Sequence, residues 1–238
     1  MAQRILITGT DTGVGKTFVA CGLAALLKAN DYRVGVMKPA ETSCVEKEGE
    51  LIADDARRLI AASGCDEPMD RVCPYRLADP LAPSIAAERA GVKIDIDHLI
   101  ALCGEIGAKH DVTLVEGAGG LMVPLLPSFT FADFALVAKL PVIVVAANKL
   151  GAINHLLLTL EHAGCKGLRV LGYVLNHVSS EPSLAAETNR EVLHGLSGVP
   201  CLGELPFIES IEAMEAFPLQ MFDEELDLEK ILPALQRR

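Results

Sequence analysis

The sequence predicts an α/β fold: a doubly wound, mostly parallel β-sheet with helices on both faces. Three observations carry the prediction. Short β-branched runs alternate with longer stretches of helical apolar spacing along the chain, the rhythm of βαβ units. The runs Arg4–Thr8, Val142–Ala146 and Val170–Leu175 are almost continuously apolar, as strands buried on both faces must be. Half of the 238 residues are hydrophobic, enough to fill a large core and too many for a disordered chain.

The elements follow in order. Arg4–Thr8 reads as the first strand, Thr10–Gly15 as a loop, and Lys16–Ala29 as a helix with Cys21, Leu23, Ala24 and Leu27 at helical spacing. Tyr32–Met37 is the next strand and Leu51–Ser63 the next helix. Val72–Pro83 holds three prolines and reads as loop. Asp95 or Asp97 can cap a helix running to about Lys109, because a short carboxylate accepts the free amides of a first turn. Val112–Val115, Val142–Ala146 and Val170–Leu175 are strands. Helices are expected at Ile153–Ala163 and Ser183–Leu196, a last short strand at Cys201–Gly203 and a helix at Asp227–Leu235. No repeat and no Pro-, Ser- or Gly-rich linker divides the chain, so a single domain over 1–238 is expected.

Composition excludes classes of partner. Lys and Arg number 21 against 32 Asp and Glu, a net charge of −11. A nucleic-acid binder needs a basic footprint, and 3 Tyr, 7 Phe and no Trp leave few platforms for stacking bases. No apolar run approaches the ~20 residues of a spanning helix. The N-terminal apolar stretch is too short for a signal peptide and runs into a Gly-rich turn. The seven Cys are scattered with no CxxC pair, which suits thiols in a reducing compartment. A cytoplasmic protein without nucleic-acid or membrane partners is expected.

In such sheets ligands bind at the carboxyl ends of the strands, and that is where the chemistry-bearing residues fall. After the first strand stands Gly9-Thr-Asp-Thr-Gly-Val-Gly-Lys-Thr17. Gly15, Lys16 and Thr17 match the end of the P-loop pattern, with the first Gly one position early. Small residues let backbone N–H groups curl around an anion, and the following helix adds partial positive charge. Lys16 can reach the β- and γ-phosphates and Thr17 can place its hydroxyl on Mg²⁺. Asp11 is unusual beside a polyanion; it must point away, bind metal or water, or read something else. Lys38 ends the second strand before Pro39, over the same crevice, with Thr42 on the loop beyond. Mg²⁺ on a nucleotide usually takes one or two protein carboxylates. Glu116 is one candidate, read as following the strand Val112–Val115 and opening a Gly-rich turn. Asp55, at the start of a helical stretch, is the other, with Asp54 left open beside it. Asn176, after the strand Val170–Leu175, can address a purine edge. The guanine-reading pattern Asn-Lys-x-Asp is missing, since Asn148-Lys-Leu-Gly151 has Gly at its last position, and adenine is therefore favoured.

These residues, with Met37-Lys-Pro39, Pro74-Tyr75, Pro80-Leu-Ala-Pro83, Val115-Glu-Gly-Ala-Gly-Gly120, Thr130-Phe-Ala-Asp133, Gly151-Ala-Ile-Asn-His155, Asn176-His-Val178 and Gly203-Glu-Leu-Pro206, resemble in order the motifs of the dethiobiotin synthetases. The match spans nearly the whole chain and includes the early Gly and Thr10. The resemblance implies a P-loop NTPase fold and an ATP-dependent cyclo-ligase of biotin synthesis. That enzyme joins CO₂ and 7,8-diaminopelargonic acid into dethiobiotin and releases ADP and phosphate. By the same resemblance Lys38, Lys16 and Thr12 are catalytic. ATP is held by Gly13, Val14, Gly15, Lys16, Thr17, Phe18, Asp55, Glu116, Gly117, Ala118, Gly119, Asn176, His177, Pro206 and Phe207. The diamine is held by Lys38, Thr42 and the segment Gly151, Ala152, Ile153 and Asn154, and Mg²⁺ by Thr17, Asp55 and Glu116. The resemblance also implies a homodimer, in which that segment of one subunit meets substrate bound to the other. His155 and His177 are read as hydrogen-bonded structural histidines, with a role as base the other reading. The rival is a partition or septum-positioning ATPase, but that group carries a second Lys where Asp11 stands. A cobyrinic acid amidation enzyme would need a glutaminase domain for which the length leaves no room. A non-catalytic nucleotide-binding module would need Lys16 but not Lys38.

Overall fold

A computed structural model of the protein describes residues 3–209 and 219–231. Its centre is a sheet of six parallel strands in the order β12-β11-β10-β1-β7-β2. The chain builds it as follows: β1 (Gln3–Gly9), α1 (Lys16–Ala29), β2 (Val34–Met37), β3 (Ala40–Glu41), β4 (Val45–Lys47), β5 (Glu50–Ile52), α2 (Asp54–Ser63), α3 (Met69–Val72), β6 (Tyr75–Arg76), α4 (Pro83–Arg89) and α5 (Ile96–Lys109). There follow β7 (Val112–Gly120), β8 (Pro124–Leu126), β9 (Phe129–Thr130), α6 (Phe131–Val137), β10 (Val142–Ala147), α7 (Ala152–Cys165), β11 (Val170–Asn176), α8 (Leu184–Leu196), β12 (Cys201–Leu205) and α9 (Leu219–Glu225).

Side chains alternate across a strand, and both faces of this sheet are covered. Ile5, Ile7, Val112, Leu114, Ile143 and Val145 join one core with α1, α2 and α9. Leu6, Val115, Val142, Val144 and Ala146 join the opposite core with α5, α6, α7 and α8. The expected doubly wound α/β sheet is present, and continuous apolar strands are its signature.

Several elements depart from the sequence expectation. The helix expected over Leu51–Ser63 begins at Asp54. Leu51 and Ile52 instead pair antiparallel with Val45 and Glu46, in a hairpin whose turn residues Glu48 and Gly49 both have positive φ, the geometry of a two-residue hairpin turn. The expected loop Val72–Pro83 holds β6, which pairs parallel with β3. Its Pro83 opens α4 as the first helical residue, where proline's missing N–H costs nothing. The strand expected to stop at Val115 runs to Gly120, so Glu116 lies within β7 rather than after it, and Gly117–Gly120 extend the strand. Four steps along β7, from Glu116 to Gly120, span only two along β1, from Ile7 to Gly9. This irregularity re-aims the strand end. The cap of α5 is Asp95, whose carboxylate accepts the His98 N–H. A helix follows Asp227; residues 232–235 of the expected terminal helix lie outside the described residues.

Candidate active site

The candidate site forms where β1, β2 and β7 end on the same edge of the sheet. Gly9–Gly15 makes the turn from β1 into α1. Gly15 sits at φ 88°, left-handed backbone that favours glycine, and a Cβ there would stand 2.2 Å from the Asn176 amide nitrogen. The Asn176 amide donates to the Val14 carbonyl at 3.0 Å, so β11 braces the loop from behind. The Lys16 ammonium is buried and donates to the Asp11 carbonyl at 3.1 Å. Burial first, and the nearby Lys38 second, bring its pKa down to about 8. The exposed Asp11 carboxylate accepts the Thr12 N–H at 2.7 Å. This is a local turn bond, a role the sequence reading did not name for Asp11. Thr12 faces the Gly119 end of β7.

Lys38 follows the end of β2 and is buried. Its ammonium donates to Glu116 Oε1 at 2.5 Å and to Asp55 Oδ2 at 2.8 Å. The Thr17 hydroxyl donates to the same Glu116 oxygen at 2.8 Å. Thr17, Lys38, Asp55 and Glu116, drawn from four elements or their ends, thus form one charged cluster at the phosphate loop. Burial works to lower the Lys38 pKa, but the Glu116 and Asp55 carboxylates outweigh it and hold Lys38 well above the ordinary lysine value. Burial works to raise the Asp55 pKa. The Lys38 charge and its hydrogen bond outweigh that and keep Asp55 below the usual carboxylate range. Of the two adjacent acids, Asp55 turns inward and Asp54 is exposed.

The donor set fits a magnesium ion carried by a nucleotide. Glu116 Oε2 is buried and has no hydrogen-bond partner among the described residues, an orphan oxygen beside the Thr17 hydroxyl. No group of three His, Cys, Asp or Glu among the described residues could hold a metal by itself. A hard cation here needs phosphate oxygens and water to complete its shell, as Mg²⁺ usually does.

The remaining expected residues fall around this centre. Gly151 is the N-cap of α7 at φ 92°, so the segment Gly151, Ala152, Ile153 and Asn154 does open a helix. Ala152 lines a cleft with Asp11, Thr12, Gly13 and Val14 of its own chain, with Lys149 and His155 also on its wall. Thr42 is half-buried on the loop after β3. Pro206 and Phe207 follow β12 next to Asn176, whose strand partner is Leu205. Phe18 packs on Phe222 of α9 with ring centroids 5.0 Å apart. Asn176 Oδ1 is buried without a partner among the described residues.

Two features were not foreseen. The first is Glu41, buried on β3, whose carboxylate accepts the N–H groups of Asp55 and Ala56 at 2.9 and 3.0 Å. Burial raises its pKa against the pull of those bonds. The second is a polar network behind the cleft. The Asn148 amide donates to Glu204 at 2.7 Å and to the Ala186 carbonyl. Asn148 Oδ1 in turn accepts from Asn189, and His177 Nε2 lies 2.8 Å from Glu204 Oε1. The His177 ring is tied into this network, in keeping with a hydrogen-bonded role. The sequence reading named Asn148 only in the near-match to the guanine-reading pattern; its place just after β10 is the signal that could have found it.

Comparison with known proteins agrees with this geometry. A family model described as an AAA domain matches residues 3–215. The ATP-dependent dethiobiotin synthetase BioD of Bacillus licheniformis is 39% identical over 240 residues, 98% of this chain and 97% of the relative. Those of Anaeromyxobacter sp. and Thermodesulfovibrio yellowstonii are 42% and 40% identical, over 79% and 89% of this chain and 82% and 91% of the relatives. Among solved structures, the cell division ATPase MinD of Pyrococcus furiosus superposes with a TM-score of 0.56 at 19% identity, covering 98% of this chain and 99% of that one. The MinC:MinD complex of Aquifex aeolicus gives 0.59 at 15% identity, covering 100% and 97%. At such identities the structural likeness speaks for the P-loop NTPase fold alone. The near-full-length identity, added to a phosphate loop that meets Lys38, Asp55 and Glu116, makes this chain a member of the ATP-dependent dethiobiotin synthetase family.

Proposed function

We propose that the protein makes dethiobiotin from 7,8-diaminopelargonic acid, CO₂ and ATP as the single P-loop ligase domain expected over 1–238. One observation of the geometry carries this reading: Lys38, from a different strand than the phosphate loop, is buried against Glu116 and Asp55 beside Thr17. An ATPase that only bound and cleaved nucleotide would need Lys16. A second buried cation beside the γ-phosphate position suits an enzyme that must bring another anion there. The partition or septum-type alternative is not favoured, since Asp11 stands where its second lysine belongs and the likeness to those proteins is one of fold.

In this reading one amine of the substrate takes up CO₂ as a carbamate. Lys38 holds the carbamate against the γ-phosphate, and Thr12 and Thr42 bond the carbamate or the amines. The carbamate oxygen attacks the γ-phosphorus and ADP leaves. Lys16 and the loop N–H groups meet the charge on the transferring phosphoryl group. The second amine then attacks the carbamate carbon of the mixed anhydride and phosphate departs, closing the cyclic urea. Ring closure is intramolecular, so holding the diamine in place supplies much of the rate. Thr17, Asp55 and Glu116 would hold Mg²⁺, which supplies neutralisation of phosphate charge. The orphan Asn176 Oδ1 suits the exocyclic amine of adenine, with Pro206 and Phe207 against the base. The N-terminus of α7 suits the substrate carboxylate, offered across a homodimer. A cytoplasmic location accompanies the reading.

The test incubates the protein with ATP, Mg²⁺, bicarbonate and the diamine. ADP, phosphate and dethiobiotin are expected in equal amounts, and phosphate release indifferent to the diamine would sink the reading. Lys38→Ala is expected to lower turnover by at least about 100-fold while ATP still binds. A loss of nucleotide affinity as large as that of Lys16→Ala would contradict the role given to Lys38.

A further inference from the structure

We propose that Glu41 is a positioning residue for the metal centre, acting through Asp55. The proposal rests on the reading above that Asp55 helps to hold Mg²⁺. The first amides of a helix have no partner within the helix, and in α2 the N-cap residue is Ala53, whose side chain accepts nothing. Glu41, fourteen residues before Asp55, fills that role with both oxygens. Oε1 takes the Asp55 N–H and Oε2 the Ala56 N–H. A two-point fork fixes rotation of the first turn as well as its distance.

Glu41 is itself held in place. Its carbonyl accepts the Leu77 N–H at 2.8 Å and the Cys44 thiol at 3.4 Å, and β3 pairs with β6. The side chain is buried. The carboxylate it steers, that of Asp55, points at Lys38. Thr42, a candidate for the diamine, is the next residue in the chain. A single clamp therefore joins the substrate loop to a metal-binding carboxylate, and the position of one fixes the other. Partners of metal ligands are commonly worth about tenfold or more in metal affinity.

The test uses Mn²⁺ bound to the full-length protein with AMPPNP, read as free and bound Mn²⁺ by electron paramagnetic resonance. In Glu41→Gln the amide presents N–H against a backbone N–H, and Asp55 loses its fixed position. The Mn²⁺ dissociation constant is expected to rise about tenfold, while AMPPNP affinity without metal changes less than about twofold. In an Asp55→Asn background the same substitution is expected to add less than about twofold, because its route is already cut. Unchanged Mn²⁺ affinity in Glu41→Gln, or a full tenfold loss in the Asp55→Asn background, overturns the proposal. Should Glu41→Gln fail to fold, Glu41→Asp, one methylene shorter, takes the same readings. The Mn²⁺ comparison needs no turnover, so its result stands apart from whether dethiobiotin is formed.

Discussion

Lys16 meets two opposed demands. The phosphate loop needs its charge, and burial beside Lys38 works against that charge, leaving a pKa of about 8 in place of the ordinary 10.5. A polyphosphate binds the charged form and raises the pKa again, so nucleotide binding takes up a proton once the free lysine has lost its own. Affinity should be highest below about pH 8 and should fall as pH rises beyond it. A loss of about tenfold is expected between pH 7 and 9, since one pKa unit is a factor of ten. Lys38 stays charged across this range and does not contribute. Calorimetric titration with AMPPNP at several pH values checks this, and a flat profile would remove Lys16 as the phosphate cation. At this scale Lys16, Thr17, Lys38 and Asn176 were legible because each ends a strand or opens a helix, and Glu116 because it stood next to one. The Glu41 clamp was not legible. It joins two segments through a turn and a hairpin that leave no periodic trace, and an acid in a loop reads as solvated until its partners are seen.

Among the elements, α6 went unforeseen although its start carries a full capping signal. The Thr130 hydroxyl accepts the Asp133 N–H, and the Asp133 carboxylate accepts the Thr130 N–H at 2.8 Å. With seven residues, α6 is shorter than the window in which helical spacing can be read. Lys166, just past α7, adds an ion pair to Asp133 at 2.7 Å. Its hydrogen bond, then those from Thr130, pull Asp133 down to about 2. The folded pKa lies below the ordinary value, so the stabilisation is fully present above about pH 4 and is lost as pH falls toward 2. Asp133→Ala is expected to cost about 1–2 kcal/mol at pH 7 by urea unfolding, with a gap to the parent that closes below pH 4. An equal gap at pH 3 would speak for packing instead. The longer helices α1, α5, α7 and α8 were legible within a residue or two, since an amphipathic face of three or four turns is hard to hide.

For the whole molecule, a net charge of −11 coexists with an anion site because Lys16, Lys38 and a helix N-terminus gather at one edge of the sheet. The alternation of strand and helix was written in the sequence. The strand order was not: β10, β11 and β12 pair with their neighbours in the chain, but β1 pairs with β7 and β10 and β2 with β7 across several intervening elements, and no local pattern records which ones. That order has a consequence for how the protein comes into being. β1 is made before the other strands of this sheet and lies inside it, hydrogen-bonded to β7 on one side and β10 on the other. Gly9, which opens the phosphate loop, is aligned with Gly120 and Val145, and the Thr10 N–H bonds the Val145 carbonyl. Such distant contacts form late and slowly. A fragment ending at Asp111 would contain every residue of the Gly9–Thr17 motif and should neither bind a fluorescent ATP analogue nor melt cooperatively. Binding within about tenfold of the intact chain would disprove this. On the ribosome, then, the segment that cradles the phosphates emerges before the strands that brace it and must wait for β10 before it can hold a nucleotide.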